Sequence, residues 1–163
     1  MTRDEIGRMG DEMEDWLKDV KPLTVKGQIA MPYTWSVGET GSSFLVALRD
    51  QTKILASRCD ACGTVYVPPR KNCPKCFTDI QGSMEVGPEG TVEAFTIVRQ
   101  GHPLHPAKAP FAYVLVRLDG SDVGFLHIVR DDWDKLAVGC RVKALFRAQR
   151  TGHILDIDTF QVI

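Results

Sequence analysis

The sequence predicts a mainly β protein with an N-terminal α-helix, a small module tied by metal, and a five-stranded barrel at the end. Three observations predict it. Four of the five cysteines fall in two C-x-x-C pairs, Cys59–Cys62 and Cys73–Cys76. Ahead of them, apolar residues recur at helical spacing. Behind them, from about residue 84, alternating and β-branched stretches are separated by turn residues.

The helix comes first. Thr2-Arg3-Asp4-Glu5 has the form of a capping box, with Thr2 at the N-cap and Glu5 reaching back. Ile6, Met9, Met13, Trp16, Leu17 and Val20 then draw one apolar stripe at steps of three and four. Lys18 and Lys21 suit the C-terminal end of the helix dipole, and Pro22 stops the helix. Its stripe has two possible uses: to lie on its own domain, or to be lent to a partner. Acids at Asp4 and Glu5, with no apolar core, do not suit a secretory leader, and no run is long enough to span a membrane. A cytoplasmic protein is expected.

Residues 23–56 read as a linker and docking segment. Pro32, Gly38 and Gly41 among scattered serines and threonines argue against regular structure as far as residue 43. Tyr33 and Trp35 are aromatics in a polar stretch, of the kind that anchors a linker to another surface. Phe44–Leu48 opens a short helix or strand, and Lys53–Arg58 reads as a strand entering the first cysteine pair.

Residues 57–80 form the Cys₄ module. Two C-x-x-C turns ten residues apart can wrap a metal from two sides, with turn amides facing the sulfurs. Gly63 supplies the positive φ such a knuckle needs. Two disulfides, or four unrelated thiols, is the competing reading, and the close spacing without a secretory leader disfavours it. Four thiolates close the coordination sphere, so Cys59, Cys62, Cys73 and Cys76 would hold a structural ion, zinc in preference to iron. Val65–Val67 makes a short strand between the knuckles. The module has almost no core of its own, which is what a metal replaces in so small a unit.

Residues 84–163 supply the strands: Gly90–Val98, Phe111–Leu118, Val123–Val129, Arg141–Phe146 and Ile154–Phe160, with a short helix over Asp131–Leu136. Five strands with a helix between the third and fourth is the order of an OB-fold barrel. The loop Arg99–Pro110 joins the first two strands and is stiffened by proline. His102 and His105 sit there, each followed within a residue or two by proline, which suits shaped surface backbone better than a metal pair. His127 and His153 read as structural or solvent-facing, and Cys140 as a core thiol.

Net charge is −1, so no global field draws the chain to nucleic acid or an anionic membrane. Locally, Arg49, Lys53, Arg58, Arg70, Lys71 and Lys75 face only Asp50 and Asp60 between residues 49 and 76, which leaves that arm basic. No nucleophile is set beside a base by any motif.

These residues resemble the acyl-CoA-associated zinc-ribbon/OB-fold family. The likeness runs through Gly38–Leu48, Cys59-x-x-Cys62-Gly63, Val67-Pro68-Pro69-Arg70 leading to Cys73-Pro74-x-Cys76, Gly90-Thr91-Val92, and the loop ending in Pro110-Phe111. The resemblance implies a rubredoxin-like zinc ribbon followed by a five-stranded OB-fold barrel. It also implies a small non-catalytic subunit beside a thiolase-like catalytic subunit, with coenzyme A as a ligand shared between the chains. The helix, the ribbon and the Ile154–Ile157 run are similar to small subunits of thiolases in aromatic-compound degradation, whose partner cleaves a 3-oxoacyl-CoA. Arg70, Lys71, Arg99 and Lys108 are then candidates for the CoA phosphates, with a solvated surface charge as the competing reading of each. Zinc ribbons and OB-folds also serve in binding single-stranded nucleic acid. That alternative class calls for a basic groove interleaved with stacking rings. An iron-bearing electron carrier is a third class, and it would be red.

Overall fold

A computed structural model describes residues 33–163 together with residues 24, 25 and 27. The helix expected over 1–22 lies outside the described residues. The chain divides between Trp35 and Ser36, and every described element belongs to the second unit, Ser36–Ile163. No described helix is long and apolar enough to cross a membrane.

Helix α1 runs Gly38–Gln51, so regular structure begins earlier than the glycines suggest. Two serines support its start: Ser36 Oγ accepts from Gly38 N at 3.1 Å, and Ser42 Oγ donates to Gly38 O at 2.6 Å. Phe44, Ala47 and Leu48 are then buried on one face, and that tertiary packing outweighs the low helix propensity of Gly38 and Gly41. Thr52 ends the helix in the left-handed region, its N–H returning to Ala47 O.

Strand β1 (Ile54–Arg58) follows and is the centre of a three-stranded antiparallel sheet. It pairs with β2 (Val65–Tyr66) on one side and β3 (Met84–Val86) on the other. The second sheet contains β4 (Glu89–Val98), β5 (Phe111–Leu118), β6 (Gly124–Val129), β7 (Arg141–Phe146) and β8 (Ile157–Val162) in the order β6-β5-β4-β7-β8. All its pairings are antiparallel, and β4 bulges between Val92 and Ala94. Ahead of the bulge, opposite Leu118, Gly90 is required: a Cβ would meet Arg117 O at 2.5 Å and Val116 Cγ1 at 2.6 Å.

The edges β6 and β8 close the barrel by side chains. Thr159 Oγ1 accepts from Arg130 N at 3.0 Å, and Asp158 binds both Arg130 (2.9 Å) and Arg147 (3.0 Å). This is the expected five-stranded OB-fold layout, with two local differences. The segment Asp131–Leu136 holds only one 3₁₀ turn, Trp133–Lys135, because Asp132 stands at φ +36 and no side chain caps the turn. The last strand starts at Ile157, since Ile154–Asp156 is another 3₁₀ turn. Buried Asp156 accepts from the N–H groups of Thr151, Gly152 and His153 at 2.7–3.1 Å, which fixes that turn before the strand can begin.

One apolar core serves most of the unit. Phe111 and Phe160 are buried in the barrel; Val92, Val114, Val116, Phe125, Val142 and Ile157 join Phe44 and Leu48 of α1 and Ile54, Ala56 and Val65 of the small sheet. Each such side chain contributes roughly 1.5–3 kcal/mol on burial. A second cluster is far smaller: Cys59, Tyr66, Cys73 and Ile80. The small sheet therefore rests its base on the barrel, and its cysteine-bearing tip has almost no apolar core.

Candidate metal centre and the cleft beside it

The tip is built from two copies of one turn. In the first, Gly63 N donates to Cys59 O at 2.7 Å and Cys59 N to Thr64 O at 3.0 Å; in the second, Phe77 N donates to Cys73 O and Cys73 N to Thr78 O, both at 2.9 Å. The sequence signal is a repeated C-x-x-C-x-T, whose threonines the sequence reading did not single out. Strand β1 delivers Cys59, and the isolated bridge between Asn72 and Asp79 closes the base of the second turn.

The turns bring Cys59, Cys62, Cys73 and Cys76 together, all four sulfurs lying within 4.8 Å of one another. Cys59 and Cys73 are buried, Cys76 half-buried and Cys62 exposed. Cys62 Sγ and Cys73 Sγ are 3.8 Å apart. That is about the edge of a tetrahedron whose centre lies ~2.3 Å from each sulfur, the zinc–thiolate distance.

Local donors favour the charged sulfurs. Tyr66 Oη lies 3.4 Å from Cys73 Sγ, and Cys76 N donates to the same sulfur at 3.4 Å. The tyrosine hydroxyl brings the Cys73 thiol down to about 6 against the opposing effect of burial, and the same bond raises Tyr66 to about 12. The Thr64 hydroxyl, 3.3 Å from Cys62 Sγ, lowers that thiol as well. Cys76 is pushed up to about 12, first by its hydrogen bond to Cys62 and then by burial. Four thiolates at this spacing are compatible only around a cation, and their softness, number and geometry fit a structural zinc. Such a site is closed to substrate.

Beside the ribbon, the first turns of α1 and the segments flanking the second knuckle enclose a cavity of about 220 Å³, lined among others by Glu39, Ser43, Leu55, Arg70, Lys71 and Ile80. Arg70 is locked through its backbone, with Arg70 N donating to Ser57 Oγ at 2.8 Å and Ser57 Oγ to Arg70 O at 3.1 Å. Its guanidinium lies 5.6 Å from the centroid of the Tyr66 ring. Arg70 and Lys71 are thus brought together. Lys108 instead lines an open hollow of about 510 Å³ with Pro106, Pro110 and Arg130. Arg99 lies 5.9 Å from the centroid of the Trp133 ring. The expected phosphate contacts do not share one cavity, and Arg130, just past the end of β6, was not foreseen.

The loop histidines are engaged in packing. His102 Nδ1 accepts from Leu104 N at 3.2 Å, and His105 sets its ring edge-on to Phe111 at 5.5 Å. His127 is buried between Phe125 and Phe160, and His153 caps the 3₁₀ turn by accepting from Leu155 N. Cys140 is half-buried against the barrel core. Among the described residues, the cysteines form the one cluster of metal-ligating side chains.

Comparison with known proteins agrees with this layout. Residues 47–80 match the family described as ChsH2, rubredoxin-like zinc ribbon domain, and residues 84–147 match ChsH2, C-terminal OB-fold domain. A "DUF35 domain-containing scaffold protein" of Methanocaldococcus jannaschii is 26% identical over 101 residues, 61% of this chain and 72% of that protein. A "Probable enoyl-CoA hydratase alpha subunit" of Thermomonospora curvata is 28% identical over 102 residues, 62% of this chain but only 31% of that protein's length. Among solved structures, a DUF35-family protein of unknown function from Sulfolobus solfataricus superposes with a TM-score of 0.56 at 26% identity, over 86% of this chain and 89% of that one. A chain of an "Ltp2-ChsH2(DUF35) aldolase" also gives 0.56, at 22% identity over 79% and 95%, a likeness of fold alone. The two matched domains together span more than half of the chain, and the protein belongs to the ChsH2-type zinc-ribbon and OB-fold family.

Proposed function

We propose that this chain is a non-catalytic accessory subunit that docks on a thiolase-like catalytic chain and helps shape its CoA site. The observation that carries the reading is how the reactive side chains are used. Among the described residues the four clustered thiols are gathered into one closed metal site, which leaves them no open position for substrate. A basic cavity lies alongside. The names of the relatives agree in kind: one is a scaffold protein, one a subunit of an enoyl-CoA hydratase, and one structural neighbour carries an aldolase in its description.

In this reading Cys59, Cys62, Cys73 and Cys76 hold a structural zinc that fixes the ribbon. Arg70 and Lys71 face a CoA phosphate across the cavity, and Lys108 and Arg99 add positive charge elsewhere on the barrel. Residues 57–80 and 84–163 act as ribbon and barrel, and the segments ahead of α1, in 1–22 and the start of 23–56, serve as the docking segments. The rest of 23–56 is built into the core through Phe44, Leu48 and Ile54. The catalytic chain supplies the cysteine nucleophile and the acid/base groups for cleaving a 3-oxoacyl-CoA. Benzoylsuccinyl-CoA is the first substrate to try. The nucleic-acid alternative loses ground because Phe111, Phe125 and Phe160 are buried in the barrel, unavailable for stacking.

The test is affinity purification of the tagged full chain from its native cells, with nuclease added. A stoichiometric, nuclease-resistant thiolase-like chain supports the reading, and so does CoA-dependent activity that needs both chains. Recovery of nucleic acid alone overturns it.

A further inference from the structure

The two knuckles differ at the position that closes the turn. Each needs positive φ there: Gly63 stands at +74 and Phe77 at +57. Glycine adopts that conformation freely, whereas a residue with a Cβ is strained by roughly 1–2 kcal/mol. Phe77 gains nothing for the fold in return, since the residue is 87% exposed. A glycine, as in the first knuckle, would serve this turn better. The backbone bonds of the turn and the flanking Cys76 fix the position of its Cα. Exposed Lys75 stands two residues before it and exposed Lys71 lies at the base of the same turn; these two cations outnumber the nearby carboxylate of Asp79, which accepts from the Asn72 amide.

An aromatic kept at a strained, solvent-facing position is explained by a surface outside the chain. We propose that Phe77 is an anchor that the second knuckle inserts into an apolar pocket, rimmed by carboxylates, on the catalytic partner. This rests on the accessory-subunit reading. Exposed Lys75 beside the ring calls for an acidic counterpart, and a backbone position already fixed by the turn leaves only the side-chain torsions to be ordered on docking. A nucleic-acid platform would need successive exposed rings, but the ribbon's other aromatic, Tyr66, is buried.

The test compares the full chain with Phe77→Gly and Phe77→Leu, each titrated by calorimetry against the thiolase-like chain that the wild type recovers. Phe77→Gly is expected to keep its zinc and melt at the same or a higher temperature, while its Kd for the partner weakens at least tenfold. Phe77→Leu should recover part of that loss, and Lys75→Glu should weaken binding and flatten its salt dependence. Unchanged affinity in a folded, zinc-loaded Phe77→Gly overturns the anchor and leaves the subunit reading standing. A lower melting temperature in Phe77→Gly also overturns it, since the ring would then serve this fold. If the wild type recovers no protein partner, both readings fail, and Phe77-dependent binding of a single-stranded oligonucleotide would put nucleic acid in the partner's place.

Discussion

The barrel and the ribbon tip are both built from antiparallel hairpins, but different forces hold them. The barrel buries Phe111, Phe125, Phe160, Val92, Val114 and Val116 among a large apolar set. The tip buries Cys59, Tyr66, Cys73 and Ile80, and two of those four are thiols facing one centre. The barrel can lose one contact and still fold; the tip depends on a single ion. Between them the base of the ribbon belongs to the barrel: Val65 is in the large core, and Asp122, in the β5–β6 turn, accepts from Val65 N at 2.8 Å.

The largest effect should come from removing the metal. Chelation, or Cys73→Ser, should empty the site and strip amide-exchange protection from residues 59–79, with the barrel strands still protected. Apparent binding energies of structural zinc are roughly 10–16 kcal/mol, far beyond what four buried residues replace. Retained protection across both knuckles in a metal-free chain would show that the tip holds itself.

Phe160→Ala attacks the other side of the comparison. Phe160 is 1% exposed and packs edge-on to Phe125 at 6.4 Å. The substitution should cost about 3–5 kcal/mol, read as a lower urea midpoint. Zinc should stay bound up to that midpoint. Metal loss at lower urea than the barrel transition would mark the tip as a separate cooperative unit, and simultaneous loss would mark one.

Asp122→Ala tests the seam. It leaves the Val65 N–H without its carboxylate acceptor, a cost of roughly 1–3 kcal/mol. The expected readout is faster zinc release to a chelator with a smaller shift in barrel unfolding. Asp122→Asn keeps an acceptor and should lie between. Equal effects on both readouts would mean that ribbon and barrel share a single transition.

How much of this could be read in the sequence follows the same division. The Cys₄ site was legible because metal geometry demands a fixed, local spacing. The barrel was legible because its strands alternate and its turns carry glycine and aspartate. Helix α1 was hidden by Gly38 and Gly41, since its stability comes from Phe44 and Leu48 meeting residues distant in sequence. The turn at Ile154–Asp156 was hidden because Asp156 looks like an exposed strand residue until three backbone donors converge on it. Phe77 was passed over for a similar reason: its backbone strain has no signature in composition. The grouping of the cations was the least legible, for it depends on which loops the fold brings together.

The smallest expected effect concerns pH, and it separates the two regions again. Burial holds the His127 imidazole below its ordinary 6.5; the Ile154 carbonyl, 3.3 Å from Nε2, and Asp158 oppose this, and Arg130 reinforces it. The unfolded chain therefore takes a proton near pH 6.5 that the folded barrel declines. Stability should fall as pH drops below about 7, until the folded-state pKa is reached. His127→Phe suits the gap between Phe125 and Phe160 and removes the unpartnered Nδ1, so it should flatten that slope in thermal melts. Asp156 acts in a different window. Burial favours its neutral form, but the N–H groups of Thr151, His153 and Gly152 outweigh that and hold the carboxyl below its ordinary 3.8, so its contribution is lost only at lower pH. Acid also releases metal from the tip, because its thiolates take up protons. The barrel melt and the zinc content must therefore be followed together. An undiminished slope in His127→Phe, tracking zinc loss, would place the acid sensitivity in the ribbon instead of the barrel.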